Sequence, residues 1–137
     1  MSKKITIVRS EHFNAAHRLF NKNWSNEKNE AFYGKCNNPN YHGHNYDLEV
    51  MITGYINKES GFLIDMKLLS NVIKDEIIDY MDHKNLNLDV PEFSSLIPTA
   101  ENIAQVIYNR LRSKIQDEFE LKVKLYETSR NFVIYPS

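Results

Sequence analysis

Residues 42–44 of the chain read His-Gly-His. If this stretch is extended, side chains two apart project to one side, so the His42 and His44 imidazoles converge and Gly43 leaves room between them. Two imidazoles on one face are part of a zinc site. A catalytic zinc takes three protein ligands and keeps its fourth position for water or substrate. The third ligand has to come from elsewhere, and His12 and His17, in the first long extended stretch, are the candidates. A bare His-x-His is as often a surface or packing pair as a ligand pair, so the neighbouring reactive side chains carry weight.

Cys36, the sole cysteine, lies six residues before His42 in Gly-Lys-Cys-Asn-Asn-Pro-Asn. A packing cysteine sits in apolar sequence. This one is in a polar loop beside Lys35, which suits a reactive thiol, with an inert exposed thiol or a fourth metal ligand as the alternatives. Asp82-His83 puts a carboxylate next to an imidazole, an arrangement that orients a ring for acid–base work, although a helix C-terminus also favours a histidine. Glu127 falls in an alternating segment, where a surface charge is the plain reading. Together these account for four of the five histidines, the cysteine and two acids, all at junctions between elements.

Apolar periodicity predicts the elements that must position these side chains. Ile5 to Val8 is a β-branched run with no Pro or Gly after it through Phe20, which predicts a long first strand. Asn21 to Asn40 is rich in Asn, Lys and Glu and contains Gly34 and Pro39, and reads as a loop. Leu48, Val50 and Ile52 alternate within Tyr46 to Tyr55, a second strand, and Asn57 to Gly61 is a turn. From Asp65, a plausible N-cap, Leu68, Leu69, Val72, Ile73, Ile77, Tyr80 and Met81 fall at helical spacing. Pro98-Thr99 announces a second helix, with Thr99 able to cap it and Glu101 favourable to its dipole. Its stripe is Ile103, Val106, Ile107, Leu111 and Ile115. Leu121 to Glu127 and Phe132 to Tyr135 alternate about Ser129-Arg130-Asn131 as a hairpin. Two strands, two helices and two strands predict an α+β layer, an antiparallel sheet with both helices on one face. The bare face and open edges suggest burial by other subunits.

Composition bounds the function. At 137 residues with 42% hydrophobic and 26% charged, the chain is the size of one ordinary globular domain, taken as residues 1–137. With 17 basic against 18 acidic residues it lacks the basic excess of a nucleic-acid or membrane surface, though a local basic pocket for a small anion remains open. One cysteine excludes an intrachain disulfide and fits a reducing compartment. There is neither a signal-peptide core nor a run of roughly 20 apolar residues, so a cytoplasmic protein is expected.

Five segments then carry a resemblance: Phe13-Asn-Ala-Ala-His17-Arg-Leu, Gly34 to Tyr46, Met81-Asp82-His83-Lys-Asn-Leu-Asn-Leu, Pro98-Thr99-Ala-Glu101-Asn-Ile-Ala and Tyr126-Glu127-Thr-Ser-Arg-Asn. In this order, from about Val8 to Tyr135, the chain closely resembles the 6-pyruvoyltetrahydropterin synthase and 6-carboxytetrahydropterin synthase family. The resemblance implies the tunnelling fold, ββααββ, with a four-stranded antiparallel sheet and two helices on one face. It further implies trimeric barrels stacked into a homohexamer, with active sites at subunit interfaces. The implied reaction converts 7,8-dihydroneopterin triphosphate to 6-pyruvoyltetrahydropterin with loss of triphosphate. The motif makes His17, His42 and His44 the zinc ligands and sets His12 aside, which strand alternation supports because His12 is five residues from His17. Cys36 matches the general base, Asp82 and His83 the acid–base pair, and Glu127 the carboxylate that anchors the pterin ring. Thr99 and Glu101 match further pterin contacts. Ala100 replaces a frequent second Thr, and Tyr41 stands where animal members commonly have Gly. The alternatives are the carboxy branch of queuosine biosynthesis, which also releases acetaldehyde, a non-catalytic zinc or pterin-binding module, and a structural zinc with Cys36 as fourth ligand. The five residues between Cys36 and His42 look like the pyruvoyl type.

Overall fold

Two 14-residue strands, β1 (Lys4–His17) and β2 (His42–Tyr55), pair antiparallel over their whole length in a computed structural model that describes residues 3–137. Period-2 alternation sorts their side chains. Phe13, Ala15 and His17 of β1 and Tyr46, Leu48, Val50 and Ile52 of β2 are buried on one face. The intervening residues, including Thr6, His12, Asp47 and Glu49, belong to the other. The sheet continues through β4 (Glu120–Tyr126) and β5 (Phe132–Tyr135), both antiparallel to their neighbours.

Mixed α+β architecture is as expected, but the sheet has five strands rather than four. A two-residue strand, β3 (Lys84–Asn85), joins the outer edge of β1 in parallel, giving the order β3-β1-β2-β4-β5. Two residues are too few to show any periodicity, which is why the sequence does not announce β3.

Both expected helices form on the buried face. Asp65 caps α2 (Met66–Ile73) by accepting the Lys67 N–H, and Thr99 caps α5 (Ala100–Arg112) by accepting that of Asn102. Ile115 lies past the end of α5 yet remains buried. The first helix runs on through a π-helical turn, Lys74–Ile78, into a last turn, α3 (Asp79–Met81). A π turn disturbs the i→i−4 ladder, and Arg110 of α5 answers it by donating from Nε to the Glu76 carbonyl at 2.8 Å. The same guanidinium stacks over Tyr80, 3.6 Å from the ring centroid. Leu69, Ile73, Ile77, Met81, Ile103, Ile107 and Leu111 are wholly buried against the strands. At roughly 1.5–3 kcal/mol for each large apolar side chain, this core dominates the stability. Short helical turns follow β3 at α4 (Leu86–Asp89) and Pro91–Ser94.

Residues 21–40, expected to be a loop, contain α1 (Asn26–Tyr33) and a 3₁₀ turn, Gly34–Asn37. α1 has no apolar stripe to betray it. It is held by polar bonds instead: Ser25 caps it, and the buried Asn29 amide accepts the Asn21 N–H at 2.7 Å and donates to the Asn21 carbonyl at 2.9 Å. β1 also stops at His17 rather than Phe20, and β2 begins at His42 rather than Tyr46. Among the described residues no helix is long and apolar enough to cross a membrane. Asn29→Ala would leave the half-buried Asn21 N–H without its acceptor, while the Asn21 carbonyl keeps the Trp24 N–H, so we expect a loss of about 1 kcal/mol. Urea denaturation should show a lower midpoint at unchanged slope, and an unaltered midpoint would contradict this account of α1.

Candidate active site and metal centre

The register of β1 on β2 sets His17 directly opposite His42 and Ala15 opposite His44. Opposed residues share a face, as do residues two apart, so all three imidazoles meet where the two strands end. Their ligating nitrogens lie within 4.8 Å of one another. Ring centroids are 4.5 Å apart for His17 and His42, 5.0 Å for His17 and His44, and 5.1 Å for His42 and His44. No cysteine or carboxylate among the described residues joins all three at that range, so the set is open rather than closed. His12, opposite Asp47 on the other face, cannot join it.

The orientation of His17 comes from a residue the sequence reading passed over. Its Nδ1 donates to the carbonyl of Pro98 at 2.8 Å, which leaves Nε2 with a bare lone pair. His17 Nε2 and His42 Nδ1 are both buried without a hydrogen-bond partner among the described residues. Such orphaned nitrogens are costly unless a ligand satisfies them. Burial, aided by the charges His42 and His44 would carry, pushes the His17 imidazole down to about 4, against the opposing pull of the Pro98 carbonyl. Burial and then His44 lower His42 as well. Neutral, convergent nitrogen donors with nothing else to bind fit a divalent metal ion. Tyr46, wholly buried, brings its hydroxyl to 3.4 Å from His17 Nδ1, and burial followed by the Glu127 charge keeps that phenol protonated.

Glu127 stands beside the triad, with Oε1 4.0 Å from His44 Nε2. It leads into the β4–β5 turn, where its N–H donates to the Asn131 carbonyl. Thr99, Glu101 and Glu127 line one cleft with Leu19 and Phe132, so residues from three distant segments come together there. Pro98-Thr99 therefore does double duty. Its carbonyl orients His17 of the triad, and its hydroxyl caps α5 at the rim of the cleft.

The remaining residues are placed differently. Cys36 sits half-buried in the 3₁₀ turn after α1, which docks on the end of β1 through a 2.8 Å bond from Leu19 N–H to the Cys36 carbonyl. Asp82 and His83 form a pair at the β3 edge. Asp82 Oδ1 accepts the Asn14 N–H at 2.8 Å, and Oδ2 lies 2.9 Å from His83 Nδ1. The Asn14 N–H, and then His83, hold the Asp82 carboxyl below its ordinary range. His83 takes a left-handed backbone, φ 60°, while its N–H donates to the Asn14 carbonyl. Its mostly exposed ring lines a cleft with Asn14, Gly43, His44 and Asn45. Within one chain the triad and Glu127 are assembled, whereas among the described residues no hydrogen bond or ion pair joins Asp82 or His83 to them.

Comparison with known proteins accords with this geometry. Residues 6–137 match the family model for 6-pyruvoyl tetrahydropterin synthase. The chain belongs to the 6-pyruvoyl tetrahydropterin synthase family. It is 40% identical to the 6-pyruvoyl tetrahydrobiopterin synthase of Dictyostelium discoideum over 135 residues, covering 98% of each chain. Identity to that of Homo sapiens is also 40%, over 94% of this chain and 89% of the relative. The Caenorhabditis elegans 6-pyruvoyl tetrahydropterin synthase structure superposes with a TM-score of 0.93 at 34% identity, covering 99% of this chain and 97% of the other. The family likeness thus extends through the fold that carries the triad and both clefts.

Metal-free protein should lose stability as pH falls from about 6.5 towards 4. Over that window the unfolded chain takes up a proton at His17 that the folded state refuses, a penalty on the order of 3 kcal/mol. Denaturation of stripped protein at pH 7.5 and 4.5 should show a smaller decline for His17→Gln. Equal declines in the two proteins would contradict the assignment of the strain to His17.

Proposed function

We propose that this chain is a zinc-dependent 6-pyruvoyltetrahydropterin synthase, a lyase that converts 7,8-dihydroneopterin triphosphate to 6-pyruvoyltetrahydropterin and triphosphate. The observation that carries this reading is the open three-imidazole cluster set against a cleft that holds Glu127, Thr99 and Glu101. Relatives named for this activity, at 40% identity over nearly the whole chain, support it.

His17, His42 and His44 would hold the zinc, which when bound supplies a Lewis acid for the hydroxyls of the substrate side chain. Glu127 accepts two parallel N–H bonds from the aminopyrimidinone edge of the pterin, a geometry only a carboxylate matches. Thr99 and Glu101 close the rim of that cleft. With Ala100 beside Thr99, this chain presents one hydroxyl there. Cys36 takes protons from the side-chain carbons, and the Asp82–His83 pair carries the complementary transfers, with the carboxylate orienting the ring.

Within a single chain Asp82 and His83 make no hydrogen bond or ion pair with the triad or Glu127 among the described residues, so we propose that a neighbouring subunit supplies the pair. The uncovered face supports such an assembly, since Val8, Phe132 and Ile134 lie exposed on it. A homohexamer of two trimeric barrels, acting in the cytoplasm with residues 1–137 as one catalytic unit, is the form we propose. It needs no nucleic-acid or membrane partner.

Purified zinc-loaded protein given dihydroneopterin triphosphate should yield 6-pyruvoyltetrahydropterin by mass spectrometry. Stoichiometric acetaldehyde would instead put the chain in the carboxy branch, and no consumption of substrate would reduce it to a binding module. Cys36→Ala should keep a full complement of zinc and lose at least a hundredfold in kcat, within the range for removing a proton-transfer group. Turnover at the unsubstituted level would remove Cys36 as the base, and loss of zinc would make it a ligand.

A further inference from the structure

A second cleft opens beside the metal centre, built from the three segments that flank it. Its lining includes Arg18, Lys35, Asn37, Asn38 and Asn40, together with one carboxylate, Glu30. Arg18 follows the ligand His17, Lys35 precedes Cys36, and Asn40 lies two residues before His42. Leu19 lines the cleft that holds Glu127 while its neighbour Arg18 lines this one, so the end of β1 passes between the two.

The cleft is constructed rather than incidental. The Asn87 amide clamps the Arg18 backbone from both sides, accepting its N–H at 2.8 Å and donating to its carbonyl at 2.9 Å. The Arg18 side chain is then fixed, with Nε donating to the Asn37 carbonyl at 2.8 Å and the guanidinium 4.3 Å above the Phe20 ring centroid. Neither terminal nitrogen has a partner among the described residues, and no carboxylate pairs with Arg18 or Lys35 there. Gly34, at φ +57°, turns the chain out of α1 so that Lys35 follows on the cleft wall. Asn38 holds the far side by accepting the Asn40 N–H at 2.8 Å. Asn37 is only 9% exposed, and its side-chain oxygen is buried without a partner.

A guanidinium held in place with two donor groups free, facing an unpaired ammonium, is chemistry for oxyanions. The geometry points to this cleft as the cradle for a chain of linked phosphates, gripped by Arg18 and Lys35. This rests on the activity proposed above, whose substrate bears the pterin at one end and a triphosphate at the other. With the pterin against Glu127 and the side chain at the triad, the triphosphate runs past the end of β1 into the Arg18–Lys35 cleft.

The test uses zinc-loaded protein, with inorganic tripolyphosphate as probe in calorimetry and dihydroneopterin triphosphate in steady-state assays. Lys35→Ala and Arg18→Lys should each weaken tripolyphosphate at least tenfold and raise KM for the substrate by a similar factor, with kcat changed less than twofold. Binding of neopterin, which has no phosphates, should be unaffected. Lys67→Ala removes the same charge from an exposed helix surface and should change nothing. If Arg18→Lys is poorly folded, Lys35→Ala and Lys35→Glu decide, since Lys35 is exposed. Weakening by Lys84→Ala with no effect at Lys35 would move the phosphates to the His83 cleft and overturn the assignment. Turnover insensitive to both substitutions would reject the cradle while leaving the activity intact. Tripolyphosphate binding that depends on both residues, in a protein that never consumes the pterin triphosphate, would keep the cradle and reject the activity.

Discussion

The pairing of β1 with β2 is continuous over fourteen residues, and its register decides where every reactive group lies. Side chains alternate along a strand, so slipping the pair by one residue would send His42, His44, Tyr46 and Leu48 to the opposite face from His17, Phe13 and Ala15. What holds the register is the hydrophobic demand of the other end of the same strands. Leu48, Val50 and Ile52 can only be buried, and the histidine cluster is carried into place by them. The core and the site are thus one alternating pattern in which apolar residues give way to histidines as the strands run out.

Polar groups are tolerated at that end because each is tied down. The Pro98 carbonyl takes the His17 N–H, the adjacent Thr99 caps α5, and α5 packs its stripe on the sheet. Position of the helix and tautomer of the ligand are therefore coupled through two consecutive residues. What stays unsatisfied is the set of lone pairs aimed at the common centre, and binding there would turn a desolvation penalty into affinity.

The same sheet separates the two halves of the proposed chemistry. The imidazole triad and Glu127 belong to the helix-covered face, whereas Asp82 and His83 are pinned at the β3 edge by two bonds to the Asn14 backbone. Those bonds require the left-handed turn at His83, an energetic cost of about 1 kcal/mol for a non-glycine residue. The turn thereby holds the carboxylate–imidazole pair at the sheet edge, bonded to the Asn14 backbone rather than to the triad.

Much of this was legible in residue order. Alternation through Leu48, Val50 and Ile52, the helical stripes read to Met81 and to Ile115 (the second helix itself stopping at Arg112), and the capping residues Asp65 and Thr99 announced the main elements, because burial imposes its period on the chain. That His17, His42 and His44 gather into one cluster could be anticipated from the sequence because motifs hold reactive side chains at fixed spacing. Periodicity was silent on α1, which is held by the Asn29 amide and a serine cap, and on β3, which is two residues long. It was silent also on Pro98, whose contribution is a main-chain carbonyl that no side-chain pattern records. Which groups meet was decided by tertiary structure alone. His17 finds Pro98 across 81 positions of sequence, Glu127 reaches His44, and Asp82 binds the Asn14 backbone instead, because strand register and helix docking bring distant residues to one point.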